Sequence, residues 1–229
     1  MEISNRLRAI SDLVDKGATI ADIGTDHGYI PIYLAKNNII KHAIACDVNK
    51  KPLDKANKNI RQYNLNNYIE TRLSDGLDKL NEDEVDTVII AGMGGLLIDK
   101  ILMKNADVAK SINKLILSPH SDIEVVRRTI HKLNYKIIEE KLIKEDNKYY
   151  NIICAVKGTE KKYDNKCYKY GKILIENKSM LLKEQLEKKE DKLSKVIEVL
   201  IKQNTDNANM RKKEIQQELD QISEVLKCL

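Results

Sequence analysis

The stretch Thr19-Ile20-Ala21-Asp22-Ile23-Gly24-Thr25-Asp26-His27-Gly28-Tyr29 decides how this chain is read. A short apolar run carries an acid near its end, two glycines follow with three residues between them, and an apolar helical pattern then begins. That order describes a strand, a tight turn and a helix. Gly24 permits a sharp turn at the end of the strand, and Gly28 permits close approach of backbone to a ligand. The spacing lacks the middle glycine of the dinucleotide-binding Gly-x-Gly-x-x-Gly, and no backbone nest for a pyrophosphate is evident. An acid two residues before the first glycine suits a cationic or zwitterionic ligand better. A turn that only joins a strand to a helix uses the same residue types, so the surrounding chain has to decide.

Residues 1–157 alternate strand-like and helix-like segments. A leading helix is expected over 5–13, strands over 19–23 and 43–47, and a helix over 29–37 between them. The helix after the second strand has Asn49 as a candidate cap and Pro52 in its first turn. Further strands are expected over 68–73, 85–91 and 114–117, with a helix over 122–133. Segments 135–142 and 149–156 read as two more strands around the acidic turn Glu145-Asp146-Asn147. There is no room there for a crossover helix, so the pair should be antiparallel. Five strand–helix repeats and this pair predict an α/β fold with a seven-stranded, mostly parallel sheet. Ligands of such sheets bind at the carboxyl ends of the strands. Ser74-Asp75-Gly76, Gly92-Met93-Gly94-Gly95 and Ser118-Pro119-His120 all fall at such ends.

Residues 158–229 differ. They lack proline, lack glycine after Gly171, and are rich in Lys and Glu. Leu182, Leu186, Leu193, Ile197 and Leu200 form one apolar stripe, and Ile215, Leu219, Ile222 and Leu226 another. Asn204-Thr205-Asp206-Asn207 between them reads as a turn with a helix cap. The expectation is a coiled-coil-like antiparallel helical hairpin, serving as a dimerisation or stabilising element or as a nucleic-acid arm. A monomer is favoured over a dimer.

With 229 residues the chain can build one sizeable core and an appendage. No apolar run reaches the length of a membrane span, and no secretory signal opens the sequence, so a cytoplasmic protein is expected. The four cysteines (Cys46, Cys154, Cys167, Cys228) show no Cys-x-x-Cys pair and no histidine at ligand spacing, which fits reduced thiols and argues against a zinc site. A net charge of +5 tolerates an acidic partner such as RNA, weakly.

Asp47 ends the second strand, 25 residues after Asp22. A carboxylate there can accept hydrogen bonds from both ribose hydroxyls of an adenosine, or simply cap the next helix. Asp75, after the third strand, could accept from an adenine amino group, or serve only its turn. After the fourth strand, enzymes that methylate exocyclic amino groups usually carry Asn or Asp, two prolines and an aromatic. Ala91-Gly92-Met93-Gly94-Gly95 carries none of these and instead allows close backbone approach, or close packing. Asp26, His27 and His120 are the ionisable residues placed to face a reacting centre, whereas His42 and His131 read as structural hydrogen-bonders.

Asp-Ile-Gly-Thr-Asp-His-Gly-Tyr-Ile-Pro at 22–31, Ala-Cys-Asp-Val at 45–48, Asp-Gly-Leu at 75–77, Ile-Ala-Gly-Met-Gly-Gly at 90–95 and Lys-Tyr-Tyr at 148–150 together resemble the bacterial tRNA (adenine(22)-N1)-methyltransferases of the TrmK type. The resemblance extends over the whole chain. It implies a Rossmann-like domain over 1–157 that binds S-adenosyl-L-methionine (SAM), a helical tail over 158–229 used with tRNA, and methylation of N1 of adenine 22. It implies that Asp22, Gly24 and Gly28 border the methionine end of SAM, that Asp47 holds the ribose and that Asp75 holds the adenine; Thr25, Val48 and Gly76 are expected in the same cofactor site. Gly92, Met93 and Gly94 would lie beside the transferred methyl. Asp26 and His27 are the expected catalytic pair, and Tyr29, Pro119 and His120 the expected substrate-binding residues. The competing reading is a SAM-dependent enzyme for a small molecule or protein, with the tail as a dimerisation device.

Overall fold

The computed structural model describes residues 1–201, 203 and 205–229. The chain divides into two units, Met1–Lys162 and Tyr163–Leu229.

In the first unit the element order is α1 (Asn5–Ser11), β1 (Ala18–Ile23), α2 (Tyr29–Lys36), β2 (Ile40–Asp47), α3 (Lys50–Gln62), β3 (Ile69–Leu73), β4 (Thr87–Met93), α4 (Gly95–Lys104), α5 (Ala106–Ser111), β5 (Lys114–Pro119), α6 (Ile123–Lys132), β6 (Tyr135–Glu145) and β7 (Lys148–Lys157). The seven strands form one sheet in the order β3-β2-β1-β4-β5-β7-β6. β1 pairs in parallel with both β2 and β4, β4 with β5, and β7 runs antiparallel to its neighbours β5 and β6. The inner strands read as continuous apolar runs because consecutive residues, hence both faces, are buried: Val88-Ile89-Ile90 and Leu115-Ile116-Leu117 are each 0% exposed. The chain builds outward from β1 to β3, then returns to start β4 on the other side of β1. The switch point therefore lies between β1 and β4, where such sheets open a crevice at their carboxyl ends. Because β7 is antiparallel, its first residues return to that same edge. Asp146 and Asn147, at φ +48° and +60°, make the two-residue turn that feeds it.

Two details differ from the sequence expectation. No helix separates β3 from β4, so four strand–helix repeats stand where five were expected. The link carries Asp75, Asp78, Asp83 and Asp86 together with Gly76 and Asn81, residue types that favour turns. Ser74 Oγ donates to the Gly76 carbonyl at 2.9 Å, and Arg72 forks onto Glu84 at 3.0 and 2.9 Å. β4 also runs two residues beyond Ala91. Gly92, at φ +83°, makes a bulge there, and Met93 pairs with Pro119 of β5.

The second unit comprises α7 (Asn165–Tyr170), α8 (Lys172–Glu176), α9 (Met180–Ile201) and α10 (Asp206–Leu226). α9 and α10 pack together with Leu182, Leu186, Ile215 and Ile222 buried. Lys189 Nζ lies 2.6 Å from Glu218 Oε1, which fixes an antiparallel register. Thr205 caps α10 by accepting from the Ala208 amide at 3.2 Å, while Asn204, also assigned to this turn, lies outside the described residues.

Gly95 is set by packing. Its amide donates to the Ser121 carbonyl at 2.9 Å, and a Cβ there would collide with the carbonyl oxygens of Ser121 and Asp122. Gly95→Ala is expected to destabilise the protein by about 1–3 kcal/mol, seen as a lower urea midpoint with an unchanged slope.

Candidate active site

The β1–α2 loop is tied to the sheet by its own backbone. The amides of Gly24 and Thr25 both donate to the Cys46 carbonyl, at 2.8 and 2.9 Å, and the Gly28 amide donates to the Thr25 carbonyl at 2.9 Å. Gly24 achieves this at φ +76°, and a side chain there would collide with the Met93 methyl group. Asn59 of α3 anchors the far side by donating to the His27 carbonyl at 2.9 Å. Asp26 sits at φ +50°, a conformation Asp tolerates better than most residues.

Two cavities open at the carboxyl ends of the strands, and both border Gly24, Asp26, Ala91 and Gly92. The first, about 390 Å³, also reaches Asp22, Thr25, Tyr29 and His120. The second, about 340 Å³, reaches Asp47, Val48, Asp75, Gly76 and Met93. Twelve of the residues expected at the site thus border one crevice, with Gly24 and Gly92 at its seam. Gly28, Gly94, His27 and Pro119 do not border it. Gly28 caps α2 and faces Ala56 of α3, Gly94 caps α4 beside Ser121, and Pro119 is buried in β5. His27 instead contacts Asp26, Nε2 to Oδ2 at 3.6 Å, and stacks on Tyr29 with ring centroids 5.1 Å apart. His131 has the structural role expected of it, 3.0 Å from Glu160.

The acids differ in state. Asp22 is buried and accepts from the Thr25 hydroxyl at 2.7 Å. Burial pushes its carboxyl up to about 6, against the opposing Thr25 bond and with a smaller upward push from Asp47. Asp47 Oδ1 accepts from the Asn49 amide at 2.8 Å in a turn just ahead of α3, and Asn49 stands at the N-cap position as expected but makes no side-chain capping bond. Asp47 Oδ2 makes no hydrogen bond among the described residues. Asp75 shares Lys104 with Asp78, at 3.2 and 2.6 Å.

Sequence reasoning missed several wall residues. Arg6 and Leu7 of α1 line the first cavity, and Asn49, Pro52, Leu97 and Ile101 the second. Arg6 stands over the Tyr150 ring, 5.0 Å from its centroid. Tyr150 belongs to the Lys-Tyr-Tyr segment, which carried the resemblance without a role. A further cavity of about 460 Å³ lies at the opposite ends of the strands, between Asp15, Lys16, Asp86 and Lys157. Its acids have structural partners: Asp86 accepts from the Thr19 amide and the Thr87 hydroxyl, both at 2.8 Å, and Asp15 pairs with Lys114. Among the described residues no group of three or more His, Cys, Asp or Glu is arranged to hold a metal ion.

This sheet, with its acid-lined crevice at the switch point, defines a methyltransferase domain, and residues 3–153 match the family model of that description. A tRNA (adenine(22)-N(1))-methyltransferase of Bacillus subtilis is 35% identical over 158 residues, 69% of this chain and 66% of that one. The crystal structure of the B. subtilis M1A22 tRNA methyltransferase TrmK aligns at 28% identity with a TM-score of 0.88, covering 98% of this chain and 99% of the other. M. capricolum TrmK, solved with S-adenosyl-homocysteine, aligns at 32% identity and a TM-score of 0.88, covering 100% and 99%. The chain belongs to the TrmK-type tRNA (adenine(22)-N1)-methyltransferase family.

The raised Asp22 has a measurable signature. A carboxyl whose pKa rises on folding binds more protons folded than unfolded between the two values, so its contribution to stability falls as pH rises from 3.8 to about 6. Asp22→Asn should therefore be more stable than the wild type above pH 7, by about 3 kcal/mol, and by roughly half that at pH 5. Urea denaturation of both proteins across pH 5–8 reads this difference.

Proposed function

We propose that this chain transfers a methyl group from SAM to N1 of adenine 22 in tRNA. The observation that carries the reading is the continuity of the two cavities at Gly24 and Gly92, which lets SAM lie across the seam, its adenosine end in one and its methionine end in the other, with the acceptor base entering at the mouth of the first. The names and bound ligand of the similar proteins support the same reading. The chamber between β2 and β4 fits the adenosine part of SAM. Asp47 Oδ2 is available to the ribose hydroxyls, Asp75 to the adenine amino group, and Val48, Leu97 and Ile101 supply apolar walls for a purine. Asp22, Gly24 and Thr25 are assigned to the methionine part, where a buried carboxylate suits an ammonium or sulfonium. Bound there, SAM supplies an electrophilic methyl group on sulfur.

The residues around the mouth of the first cavity then have a limited task. Adenine N1 carries an in-plane lone pair, so no base is needed to deprotonate it first. Holding the reacting groups in near-attack geometry can supply about 7–11 kcal/mol. Positive charge develops on the base, and Asp26 accepts a hydrogen bond from its exocyclic amino group, which stabilises that charge. His27 holds the Asp26 carboxylate in place. Tyr29, exposed at the mouth of the first cavity, offers a stacking face, and His120, just after β5, lines the same cavity. N1 lies on the Watson–Crick edge, so the base must leave any pairing, at a cost of a few kcal/mol that contacts elsewhere on the tRNA offset. We assign those contacts to the helical unit, and the reaction to the cytoplasm.

Replacing adenine 22 by guanine in an otherwise unmodified tRNA transcript is expected to reduce methyl incorporation to background. Undiminished incorporation would refute the assigned target. Asp26→Ala is expected to lower kcat at least about 100-fold while the Kd for SAM stays within about threefold of wild type. Equal losses in the two would move Asp26 from catalysis to cofactor binding.

A further inference from the structure

Positive charge is concentrated on one helix of the first unit. α3 carries Lys50, Lys51, Lys55, Lys58 and Arg61 against the single acid Asp54, a net charge of +4, where the whole chain has +5. All five cations are exposed. Among the described residues none of the five side chains makes an ion pair or a hydrogen bond.

The helix departs from the rules that stabilise helices locally. Lys50 and Lys51 stand in its first turn, which holds no acid, so they oppose the macrodipole. Lys51 and Lys55 are four residues apart and Lys55 and Lys58 three, which sets like charges side by side. α9 of the same chain treats its lysines differently: Lys188 pairs with Glu184 at 2.6 Å and Lys195 with Asp191 at 2.7 Å, each at four-residue spacing. The other side of α3 is ordinary, with Leu53, Ala56 and Ile60 buried. Unrelieved repulsion on one face of a well-packed helix is a local cost of the kind found at functional surfaces, and a polyanion would relieve it.

α3 also flanks the reaction site. Asn49, just before it, and Pro52, in its first turn, line the second cavity, and Asn59 donates to the His27 carbonyl beside Asp26. At 3.6 residues per turn, Lys51, Lys55 and Lys58 fall within about 60° of one another in a row about 10 Å long, and Lys55 is about 40° from Asn59. The row therefore runs next to the side of the helix that holds the β1–α2 loop.

We infer that the exposed face of α3 is a phosphate-docking surface of the first unit, with Lys51, Lys55 and Lys58 engaging the RNA backbone beside the target adenosine. The inference rests on the function proposed above and adds a contact on the first unit to those assigned to the helical unit. The row contains no aromatic or apolar side chain, so it offers charge to phosphates and no stacking platform to bases. Its task is to position the RNA, independently of sequence.

The test compares full-length wild type with the triple variant Lys51→Gln, Lys55→Gln, Lys58→Gln and with a control, Lys16→Gln, Lys110→Gln, Lys132→Gln. The control removes the same charge from exposed lysines that precede β1, β5 and β6, at the other ends of the strands. Fluorescence anisotropy with unmodified tRNA gives Kd between about 50 and 200 mM salt. The α3 variant is expected to bind tRNA about tenfold or more weakly, with the slope of log Kd against log salt lowered by about 2, while the control stays within about twofold of wild type. Calorimetric titration with S-adenosylhomocysteine is expected to give wild-type affinity in both, and the melting temperature of the α3 variant not to fall, because glutamine removes repulsion rather than a contact. Wild-type tRNA affinity and slope in the α3 variant would overturn the inference and leave this face to an acidic protein or to solvent. Equal losses in the two variants would also overturn it, since overall charge would then account for them. A parallel loss of S-adenosylhomocysteine affinity would overturn it too, by making the lysines supports of the cofactor site. Should the triple variant fail to fold, Lys55→Gln alone decides: a slope lowered by about 1 supports the inference, and a wild-type slope overturns it. tRNA affinity is read without turnover, so these outcomes are distinct from failure of the proposed function, in which the wild type binds tRNA and transfers no methyl group to it.

Discussion

The carbonyl of Cys46 receives two amide hydrogens, from Gly24 and Thr25, and the crevice depends on that junction. It joins the end of β2 to the turn that leaves β1, so the two central strand ends cannot separate. The left-handed Gly24 makes this pair of hydrogen bonds possible, and the Thr25 hydroxyl then donates to Asp22. From this point Asp47 is held on one side and Asp26 on the other. The bulge at Gly92 in the adjacent strand leaves the opening between them. A carboxylate as buried as Asp22 is unfavourable for the empty fold, and a cationic ligand is what would reverse that cost.

Charge in the crevice is arranged rather than merely negative. Asp75 shares Lys104 with Asp78, and Asp47 holds the Asn49 amide, so each keeps only part of its accepting capacity for a ligand. Asp26 stands in a left-handed conformation beside His27, with most of its side chain exposed. Arg6 brings positive charge to the cavity that Asp22 and Asp26 also border. Such a pattern suits reactants with separated charges of both signs, as SAM and a nucleotide have.

Much of this was legible in the sequence, because buried parallel strands are continuous apolar runs and each ends in a recognisable polar or glycine cluster. Asp22, Gly24, Asp26, Asp47, Asp75 and His120 could be placed by that rule alone. The rule misled at Gly92, where glycine marks a bulge inside an extended strand rather than its end, and at Gly94 and Gly28, where the small residue serves helix caps and packing. It also implied a helix between β3 and β4 that the Asp-rich link does not form. Arg6 and Tyr150 were out of reach for a different reason. Their meeting depends on α1 lying beside β6 and on β7 reversing direction, contacts between segments some 140 residues apart that no local pattern encodes.

The central claim is that this crevice brings SAM and an adenine N1 together. The most direct measurement is to incubate the full chain with isotope-labelled SAM and unmodified tRNA, digest the RNA to nucleosides, and identify the labelled product. Label in N1-methyladenosine is the expected result. Label confined to another nucleoside, or none in RNA although SAM raises the melting temperature of the protein, would contradict the claim and point to a different acceptor.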